Sequence, residues 1–373
     1  MVLKNAIIYD RNFEPRKADI RIEGETIAEI GESLDGRDVI CLDGLTLLPG
    51  FIDIHIHGCN GGDMSDCDEK SLEKMSDYLA KNGITSFCPT SMTLPHEELR
   101  RSFETVEKYK GRERGAYIHG INMEGPFISH EKKGAQEGEY IRNPDIEEFN
   151  SLNENSRVLL VDVAPEVQGA FDFALQACKA CTVSAAHTNA DYKTALLAFE
   201  NGFSHATHLF NAMPAIFNRE PGTVAAVFDN DRATAELICD GFHIHPSVLR
   251  MSFALLGEDR AVVVSDAMKA AGCGDGDYIL GGQTVYVRDG KAQLANGAIA
   301  ASTTNLFTEF KNLLTFGIPF KSALKACTIN PARVIKADKI TGSIERGKIA
   351  DIIVVDNELN LKSVFIRGKT IIL

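Results

Sequence analysis

The sequence has no long apolar run. None of its apolar stretches approaches the roughly 18 to 20 residues that a membrane-spanning helix needs. Its opening residues, MVLKNAIIYDRNFEP, also lack the charged front, apolar core and small-residue cleavage site of a signal peptide. We therefore expect a cytoplasmic protein with no membrane partner.

Positive charge is scarce as well. The 373 residues include 39 Lys and Arg against 52 Asp and Glu, which gives a formal net charge of −13. Binding to a phosphate backbone needs clustered positive charge, so we expect no nucleic-acid partner. A small anionic substrate is still compatible with this composition, because it needs only a few local cations.

Low-complexity tracts, internal repeats and paired cysteine motifs are also missing. The composition, 44% hydrophobic and 24% charged, is that of an ordinary globular protein. The nine cysteines are odd in number and scattered, and only Cys178 and Cys181 lie close together. This usage favours reduced core thiols in a cytoplasmic protein over disulfides or a cysteine-zinc site.

The chain does contain a long alternation of strand-like and helix-like segments. Each apolar strand-like run precedes a stretch whose apolar residues have helical spacing. Eight buried strands that alternate with helices predict an α/β fold in which a parallel sheet closes into a (β/α)8 TIM barrel. The runs are FIDIHIH (51–57), GITSFCPT (83–90), AYIHGINMEG (116–125), RVLLVDVAPE (157–166), CTVSAAHT (181–188), FSHATHLF (203–210), ATAELICDG (233–241) and RAVVVSDA (260–267).

The two ends of the chain have a different pattern. Residues 1–50 and 343–373 alternate apolar and polar residues in short segments that Gly and Asp interrupt. These segments cannot belong to the predicted barrel, which spans residues 51–342. We expect them to pair with each other as a small β-sandwich lobe.

Residue types that bind metals fall at the C-terminal ends of the predicted strands, where the active sites of barrel enzymes lie. Imidazoles and carboxylates at this density suit Zn²⁺ or a neighbouring first-row ion with an open position for water. Such residues at the ends of five different strands have no common packing reason. The residues are His55 and His57 after the first strand, Glu124 after the third, His187 after the fifth, His208 after the sixth and Asp266 after the eighth.

Two choices among the remaining histidines follow from position. His205 and His208 share one run and are expected to face opposite sides, and His208 is nearer the strand end. His243 and His245 follow the seventh strand, and we prefer His243 as the functional one. His96, His119 and His130 lack such placement and are interpreted as packed or surface residues.

Several motifs resemble one family end to end. PGFIDIHIHG (49–58), Asp266 and GSIERGKIADIIVVD (342–356) resemble the amidohydrolase superfamily. The finer motifs are similar to those of its N-acetylglucosamine-6-phosphate deacetylase family. They are NMEGPFI (122–128), KKGAQ (132–136), AAHTNA (185–190), THLFNAM (207–213), DGFHIHP (240–246) and VSDAM (264–268).

The resemblance implies a hydrolase that removes acetate from N-acetylglucosamine 6-phosphate and yields glucosamine 6-phosphate. It assigns the main metal to Glu124, His187 and His208, and it allows a second metal at His55 and His57 that shares Glu124. One or two divalent ions per subunit, zinc or iron, are therefore expected. In this scheme metal-bound hydroxide attacks the amide. Asp266 acts as general base and then as general acid.

The resemblance also implies a substrate site and a homodimer. Arg219 would offer a charged fork to the phosphate, and His243 would donate to the oxyanion or the sugar. In the implied homodimer, Arg219 or His243 would act across the subunit interface. The other implied contacts are Ala135, Asn211, Ala212 and the turn formed by Ile299, Ala300, Ala301 and Ser302.

Three alternatives stay open at the level of sequence. The substrate could be the galactosamine epimer or another N-acetylated sugar phosphate, because no identified residue recognises the C4 hydroxyl. A dihydroorotase-like or deaminase-like hydrolase is disfavoured, because the fourth strand ends in VAPE without the lysine that such two-metal sites carboxylate. A non-catalytic scaffold would be expected to have lost a ligand or the acidic residue, and this chain has lost neither.

Overall fold

The computed structural model describes residues 1–371. In chain order its strands are β1 (Val2–Tyr9), β2 (Pro15–Glu23), β3 (Thr26–Gly31), β4 (Val39–Cys41), β5 (Thr46–Pro49), β6 (Phe51–Ile56), β7 (Gly58–Cys59), β8 (Gly62–Asp63), β9 (Ile84–Pro89), β10 (Tyr117–Ile118), β11 (Ile121–Met123), β12 (Val158–Val163), β13 (Thr182–Ala185), β14 (Phe203–Ala206), β15 (Thr234–Leu237), β16 (Ala261–Val263), β17 (Gly276–Leu280), β18 (Gln283–Arg288), β19 (Lys291–Gln293), β20 (Ile352–Val355), β21 (Leu361–Ile366) and β22 (Lys369–Ile371).

The helices lie mainly between the central strands. Polar residues cap several of them: Asp68 accepts a hydrogen bond from the amide of Lys70, and Asn305 accepts one from the amide of Thr308. In chain order the helices are α1 (Glu69–Lys81), α2 (His96–Tyr109), α3 (Ile146–Leu152), α4 (Ala170–Ala177), α5 (Tyr192–Glu200), α6 (Gly222–Asp229), α7 (Pro246–Arg260), α8 (Leu306–Thr315), α9 (Phe320–Cys327) and α10 (Ile329–Val334).

The central strands run parallel in two hydrogen-bonded sheets. One sheet has the order β10-β9-β6, and the other has the order β11-β12-β13-β14-β15-β16. Isolated parallel bridges join Thr90 to Asn122 and Ile56 to Ala267, and they link the two sheets at both of their ends. Every predicted strand-like run contains at least one of these strands, so the α/β class with parallel central strands is confirmed.

Burial explains why these runs form strands rather than surface segments. All six residues of β6 and all six of β9 are buried. Strands covered on both faces have continuous apolar sequences, because neither side meets water. The main hydrophobic cluster extends from Phe13 to Val355 and packs these strands against the surrounding helices.

Strands from both ends of the chain join in one further sheet. Its order is β22-β21-β20-β5-β1-β2-β3, with β4 paired to β1. The central connection is antiparallel between β5 and β20, with Thr46 opposite Val355 and Pro49 opposite Ile352. A separate cluster of buried apolar residues, from Leu3 to Phe365, packs against this sheet.

Residues 276–293 form an antiparallel three-stranded sheet, β17-β18-β19, between β16 and α8. Among the described residues, none of the helices combines the length and the apolar character that crossing a membrane requires.

Candidate active site

The predicted ligands occupy one end of the parallel strands. His55 lies in β6 and His57 directly follows it, while Glu124 directly follows β11. The other three residues, His187, His208 and Asp266, lie just beyond β13, β14 and β16. Because the strands are parallel, these positions meet at the same edge of the sheets.

Backbone geometry turns three of these residues out of the strand direction. His187, His208 and Asp266 have φ values of 43°, 30° and 45°, in a region that residues other than glycine seldom adopt. Each such residue costs on the order of 1–3 kcal/mol, and such strain clusters at functional sites. All three residues are nevertheless buried.

The first group of ligand atoms comprises Glu124, His187 and His208. The Glu124 Oε1 atom lies 2.9 Å from Nε2 of His187 and 3.1 Å from Nε2 of His208. The two Nε2 atoms are themselves 3.1 Å apart. Three donor atoms therefore converge on one small space.

The second group comprises His55, His57 and Asp266. The Asp266 Oδ1 atom lies 3.2 Å from Nε2 of His57 and 3.7 Å from Nε2 of His55. Glu124 joins the two groups, because its Oε1 atom is 3.6 Å from Nε2 of His55 and its Oε2 atom is 3.4 Å from Nε2 of His57. The carboxylate of Glu124 therefore lies between two adjacent positions for a cation.

Outward contacts direct the Nε2 atoms toward this centre. The Nδ1 atom of His57 lies 3.2 Å from the carbonyl oxygen of Thr90, and Nδ1 of His187 lies 2.8 Å from that of Lys132. A carbonyl oxygen only accepts hydrogen bonds, so each Nδ1 atom carries the proton. Each Nε2 atom consequently faces the centre and, once it has lost its proton, offers a lone pair to a cation, as a neutral imidazole ligand does.

The donor set fits a divalent cation. The Nε2 atom of His55 is buried without a hydrogen-bond partner, although nearby carboxylates surround it. Hydrogen bonds from His187 and His208 outweigh the opposing effect of burial and hold the pKa of Glu124 well below its usual value. Neighbouring carboxylates raise the pKa of His55 although burial opposes this. The pocket therefore attracts positive charge, and nitrogen and oxygen donors in this arrangement suit zinc or another first-row ion.

Three further polar residues belong to this centre and were not predicted from the sequence. Gln136 donates from Nε2 to Oε2 of Glu124 at 2.5 Å. Oε2 of Glu236 lies 3.0 Å from Nδ1 of His55. Asp162 has a ligand atom within 4.8 Å of those of His55 and Glu124. Their positions could have identified them: Asp162 and Glu236 are charged residues inside strand-like runs, and Gln136 lies in the KKGAQ motif.

A cavity of about 340 Å³ lies against these ligand atoms. Met92 and Leu280 contribute apolar walls. Most of the predicted site residues line it, and they are His57, Glu124, His187, His208, Asp266, Ala135, Asn211, Ala212, His243, Ile299, Ala300 and Ala301.

The predicted residues outside this lining are His55, Arg219 and Ser302. His55 is fully buried and does not line the cavity. Ser302 is also buried: its hydroxyl donates to the carbonyl of Ser265 at 2.5 Å, and its amide donates to the carbonyl of Asp266 at 2.7 Å. Ser302 therefore supports the backbone of Asp266 and does not face the cavity.

Arg219 is exposed and lines a different cavity of about 880 Å³, together with Lys132 and Lys193. Within residues 1–371, the 340 Å³ cavity has no Lys or Arg among its lining residues. The expectation that Arg219 contacts a ligand in its own chain's cavity therefore finds no support in this position.

The other predicted choices have clear positions. The Nδ1 atom of His243 lies 2.8 Å from Oδ2 of Asp240, which leaves Nε2 free on the cavity side. His245 is exposed and caps α7 by accepting from the amide of Ser247. His208 belongs to a group of converging ligand atoms and His205 does not; the Nε2 atom of His205 instead contacts Oε1 of Glu236 at 3.3 Å. His205 is fully buried.

Comparison with known proteins assigns the family. The sequence profile of the family described as Amidohydrolase family matches residues 46–371. The chain belongs to the amidohydrolase family. This amidohydrolase is similar to a protein of Bacillus subtilis named N-acetylglucosamine-6-phosphate deacetylase, with 34% identity over 86% of the chain and 83% of that protein.

Two further comparisons bear on the amidohydrolase. A crystal structure of N-acetylglucosamine-6-phosphate deacetylase from Pasteurella multocida superimposes with a TM-score of 0.94 at 32% identity and covers 100% of this chain and 99% of that one. An Escherichia coli O157:H7 protein named N-acetylgalactosamine-6-phosphate deacetylase is 32% identical over 88% of both chains.

Proposed function

We propose that this protein is a metal-dependent hydrolase that removes acetate from N-acetylglucosamine 6-phosphate to give glucosamine 6-phosphate. The observation that carries the proposal is the meeting of two groups of ligand atoms at Glu124, against a 340 Å³ cavity. The similarity to deacetylases of this substrate supports it over most of the chain.

Glu124, His187 and His208 would hold one divalent ion, and His55 and His57 would hold a second that shares Glu124. Zinc or iron suits these imidazole and carboxylate donors. When bound, such an ion supplies a nucleophilic water at neutral pH and polarises the acetyl carbonyl. The protein's own groups then have to orient the amide and move protons.

Asp266 is the residue proposed to move the proton. Burial opposes its ionisation, but the hydrogen bond and charges of His57 and His55 hold the pKa of Asp266 below its usual value. It is therefore an ionised base that accepts a proton from the attacking water. As the amide breaks, the same carboxyl returns the proton to the departing amine.

His243 is proposed to donate a hydrogen bond from Nε2 to the oxyanion or the sugar. Asp240 fixes its orientation from the other side of the ring, at 2.8 Å. Ala135, Asn211, Ala212 and the Ile299–Ala301 turn line the same cavity. We propose that these residues surround the sugar.

The phosphate requires a cation that the cavity of one chain lacks. We propose that a homodimer supplies it, with Arg219 of one subunit reaching the site of the other. Exposed apolar side chains near Arg219 support an interface there, since Ile216 is 50% exposed, Phe217 61% and Met251 62%. A surface of this kind is typical of subunit contacts.

We also propose a closed barrel, a two-layered β-lobe and a cytoplasmic location. The bridges at Thr90–Asn122 and Ile56–Ala267 support closure of the parallel strands into a (β/α)8 barrel over residues 51–342. The shared apolar cluster of β1, β2, β5 and β20 supports a two-layered β-lobe from residues 1–50 and 343–373. The nine cysteines are free thiols, which supports a cytoplasmic location.

A second candidate is the same reaction on N-acetylgalactosamine 6-phosphate. The observation that favours it is the near-equal identity to the E. coli protein named for that substrate, 32% against 34%. The two sugars differ only at C4, so the chemistry and the metal site would be unchanged.

The test is acetate release measured by proton NMR. N-Acetylglucosamine 6-phosphate, its galactosamine epimer and unphosphorylated N-acetylglucosamine would each be tested before and after chelation. We expect release from the glucosamine phosphate that chelation abolishes. Faster release from the epimer would select the second candidate. No release from any of them at full metal loading would contradict the proposed reaction.

The homodimer has a separate test that uses two inactive variants. Arg219→Ala and Asp266→Asn chains would be mixed after subunit exchange. If Arg219 acts across the interface, half of the dimers contain one intact site, so about a quarter of the wild-type activity returns. No recovery in confirmed mixed dimers would place Arg219 in its own chain's site or outside catalysis.

A further inference from the structure

Glu236 contacts three groups, and two of them, from His55 and His208, belong to the two halves of the metal centre. It lies in β15 and is fully buried. Its Oε2 atom lies 3.0 Å from Nδ1 of His55 and accepts from the backbone amide of His208 at 3.1 Å. Its Oε1 atom lies 3.3 Å from Nε2 of His205.

The contact with His55 decides which ring nitrogen faces the centre. An ionised carboxylate only accepts hydrogen bonds, so Nδ1 of His55 carries the proton. The Nε2 atom then presents its lone pair beside Glu124 and Asp266, and it has no hydrogen-bond partner of its own. In the described structure, Nδ1 of His55 has no hydrogen-bond partner other than Glu236.

The contact with His208 acts on the other ligand group. His208 has a φ of 30°, and its amide is held by the same Glu236 oxygen that contacts His55. The adjacent amide of Leu209 donates to the backbone carbonyl of Glu236 at 2.8 Å. One residue therefore fixes the loop that carries a ligand of the first ion and the ring that carries a ligand of the second.

The Glu236 side chain is itself fixed. His205 contacts its Oε1 atom, and Nδ1 of His205 lies 2.6 Å from the hydroxyl of Thr234. The carboxylate is thus bound on both oxygens and cannot rotate without breaking buried hydrogen bonds. Such partners of metal-binding histidines orient the ring and raise its basicity.

We propose that Glu236 is a positioning residue that makes the His55/His57 position competent to hold a second divalent ion. This inference rests on the metal centre of the proposed function. It predicts two ions per wild-type chain, of which the second depends on Glu236. The ion at Glu124, His187 and His208 keeps its three ligands when Glu236 is changed, because the bond from the Leu209 amide to the backbone carbonyl of residue 236 still holds the His208 loop.

The experiment is a cobalt(II) titration of the metal-free protein, followed by visible absorbance and by equilibrium dialysis. Wild type should bind two ions per chain. Glu236→Ala removes the acceptor and should bind the second ion about 100-fold more weakly, whereas Glu236→Gln retains a neutral acceptor and should bind it about 10-fold more weakly. His55→Ala gives the one-ion reference spectrum.

Glu309→Gln is the matched control. Glu309 is equally buried, and its carboxylate accepts from the amide of Cys239 at 2.8 Å without contacting a proposed ligand. This variant should keep both ions. Circular dichroism would establish which variants fold, and Glu236→Gln preserves the side-chain volume if Glu236→Ala does not.

A single cobalt ion in wild type would overturn the inference, as would wild-type affinity for the second ion in a folded Glu236 variant. The readout is independent of the substrate. If the wild-type protein releases no acetate but the Glu236 variants still lose the second ion, only the proposed reaction is contradicted. Acetate release with two ions bound in Glu236→Ala would contradict the role of Glu236 alone.

Discussion

The Nε2 atoms of His187 and His208 lie 3.1 Å apart, and both lie within 3.1 Å of the same oxygen of Glu124. Two buried imidazole nitrogens cannot face each other at this distance with both lone pairs unsatisfied. A cation between them, or a proton on one of them, is required. A divalent ion satisfies all three atoms at once.

Removal of the ion should therefore reduce both stability and activity. A ligand that binds only the folded state adds about 4 kcal/mol at a thousand times its dissociation constant. We expect chelation to lower the melting temperature by several degrees and to abolish acetate release. Zinc or iron added back should restore both. An unchanged melting temperature in a protein shown to be metal-free would contradict a structural contribution of the ion.

Asp266→Asn should separate proton transfer from metal binding. The amide cannot accept a proton from water, so we expect kcat to fall by about 10²–10⁴-fold. The KM for the phosphorylated sugar should change little, because Asp266 is one of many cavity-lining residues. Metal analysis should still find the ion at Glu124, His187 and His208. A loss of that ion, or a purely KM-based defect, would contradict the role of Asp266.

The strand ends could be predicted because a strand that is buried on both faces has a continuously apolar sequence. The β6 sequence FIDIHI is buried on both faces, and its period of two places His55 and His57 on the same side. Parallel strands then bring their carboxyl ends together. The ligand types and the location of the centre follow from these local rules and from the recognised motifs.

The missed residues depend on distant contacts that no local pattern contains. Gln136 comes from the segment between β11 and β12, and it reaches both Glu124 and the amide of Thr93. Glu236 lies inside an apolar run, and its partners His55 and His208 come from other parts of the chain. Arg219 follows a motif that lines the cavity, but the path of its loop places it beside a different cavity. Only the fold determines these neighbours.

Gly125→Ala should destabilise the protein and disturb Glu124. Gly125 has a φ of +70°, and a Cβ atom there would lie 2.1 Å from the hydroxyl oxygen of Thr93. The left-handed backbone costs about 1 kcal/mol, and the steric overlap adds about 1–3 kcal/mol. Thr93 also holds Gln136, so the displacement should weaken metal binding at Glu124. Urea unfolding and metal analysis measure the two effects.

Gly44→Ala is the matched control for this substitution. Gly44 has a φ of +77°, but nothing lies within 4 Å of its added Cβ atom. It should lose only the backbone contribution and retain full metal content. Equal losses of unfolding free energy in the two variants would show that Thr93 moves aside without cost.

Asp351→Asn should stabilise the protein more at high pH than at low pH. Burial outweighs the hydrogen bond from the amide of Arg367 and raises the pKa of Asp351 to about 6. Because the folded-state pKa is raised, the unfolded chain loses its proton first, and wild-type stability falls as the pH rises from about 4 to 6. Asparagine does not ionise, and its oxygen can still accept from the Arg367 amide. Between pH 5 and 7.5, its advantage should grow by about 1–2 kcal/mol.

Urea unfolding of both proteins at pH 5 and at pH 7.5 measures this difference, and changes in metal affinity with pH cancel because they affect both chains equally. Asp356→Asn is the control. Hydrogen bonds from Lys362 and Asn360 lower the pKa of the half-buried Asp356, so this residue is ionised in both states above pH 5. Its effect on stability should be the same at the two pH values. An advantage of Asp351→Asn that is equally constant would mean that Asp351 is already ionised in the folded protein at pH 5.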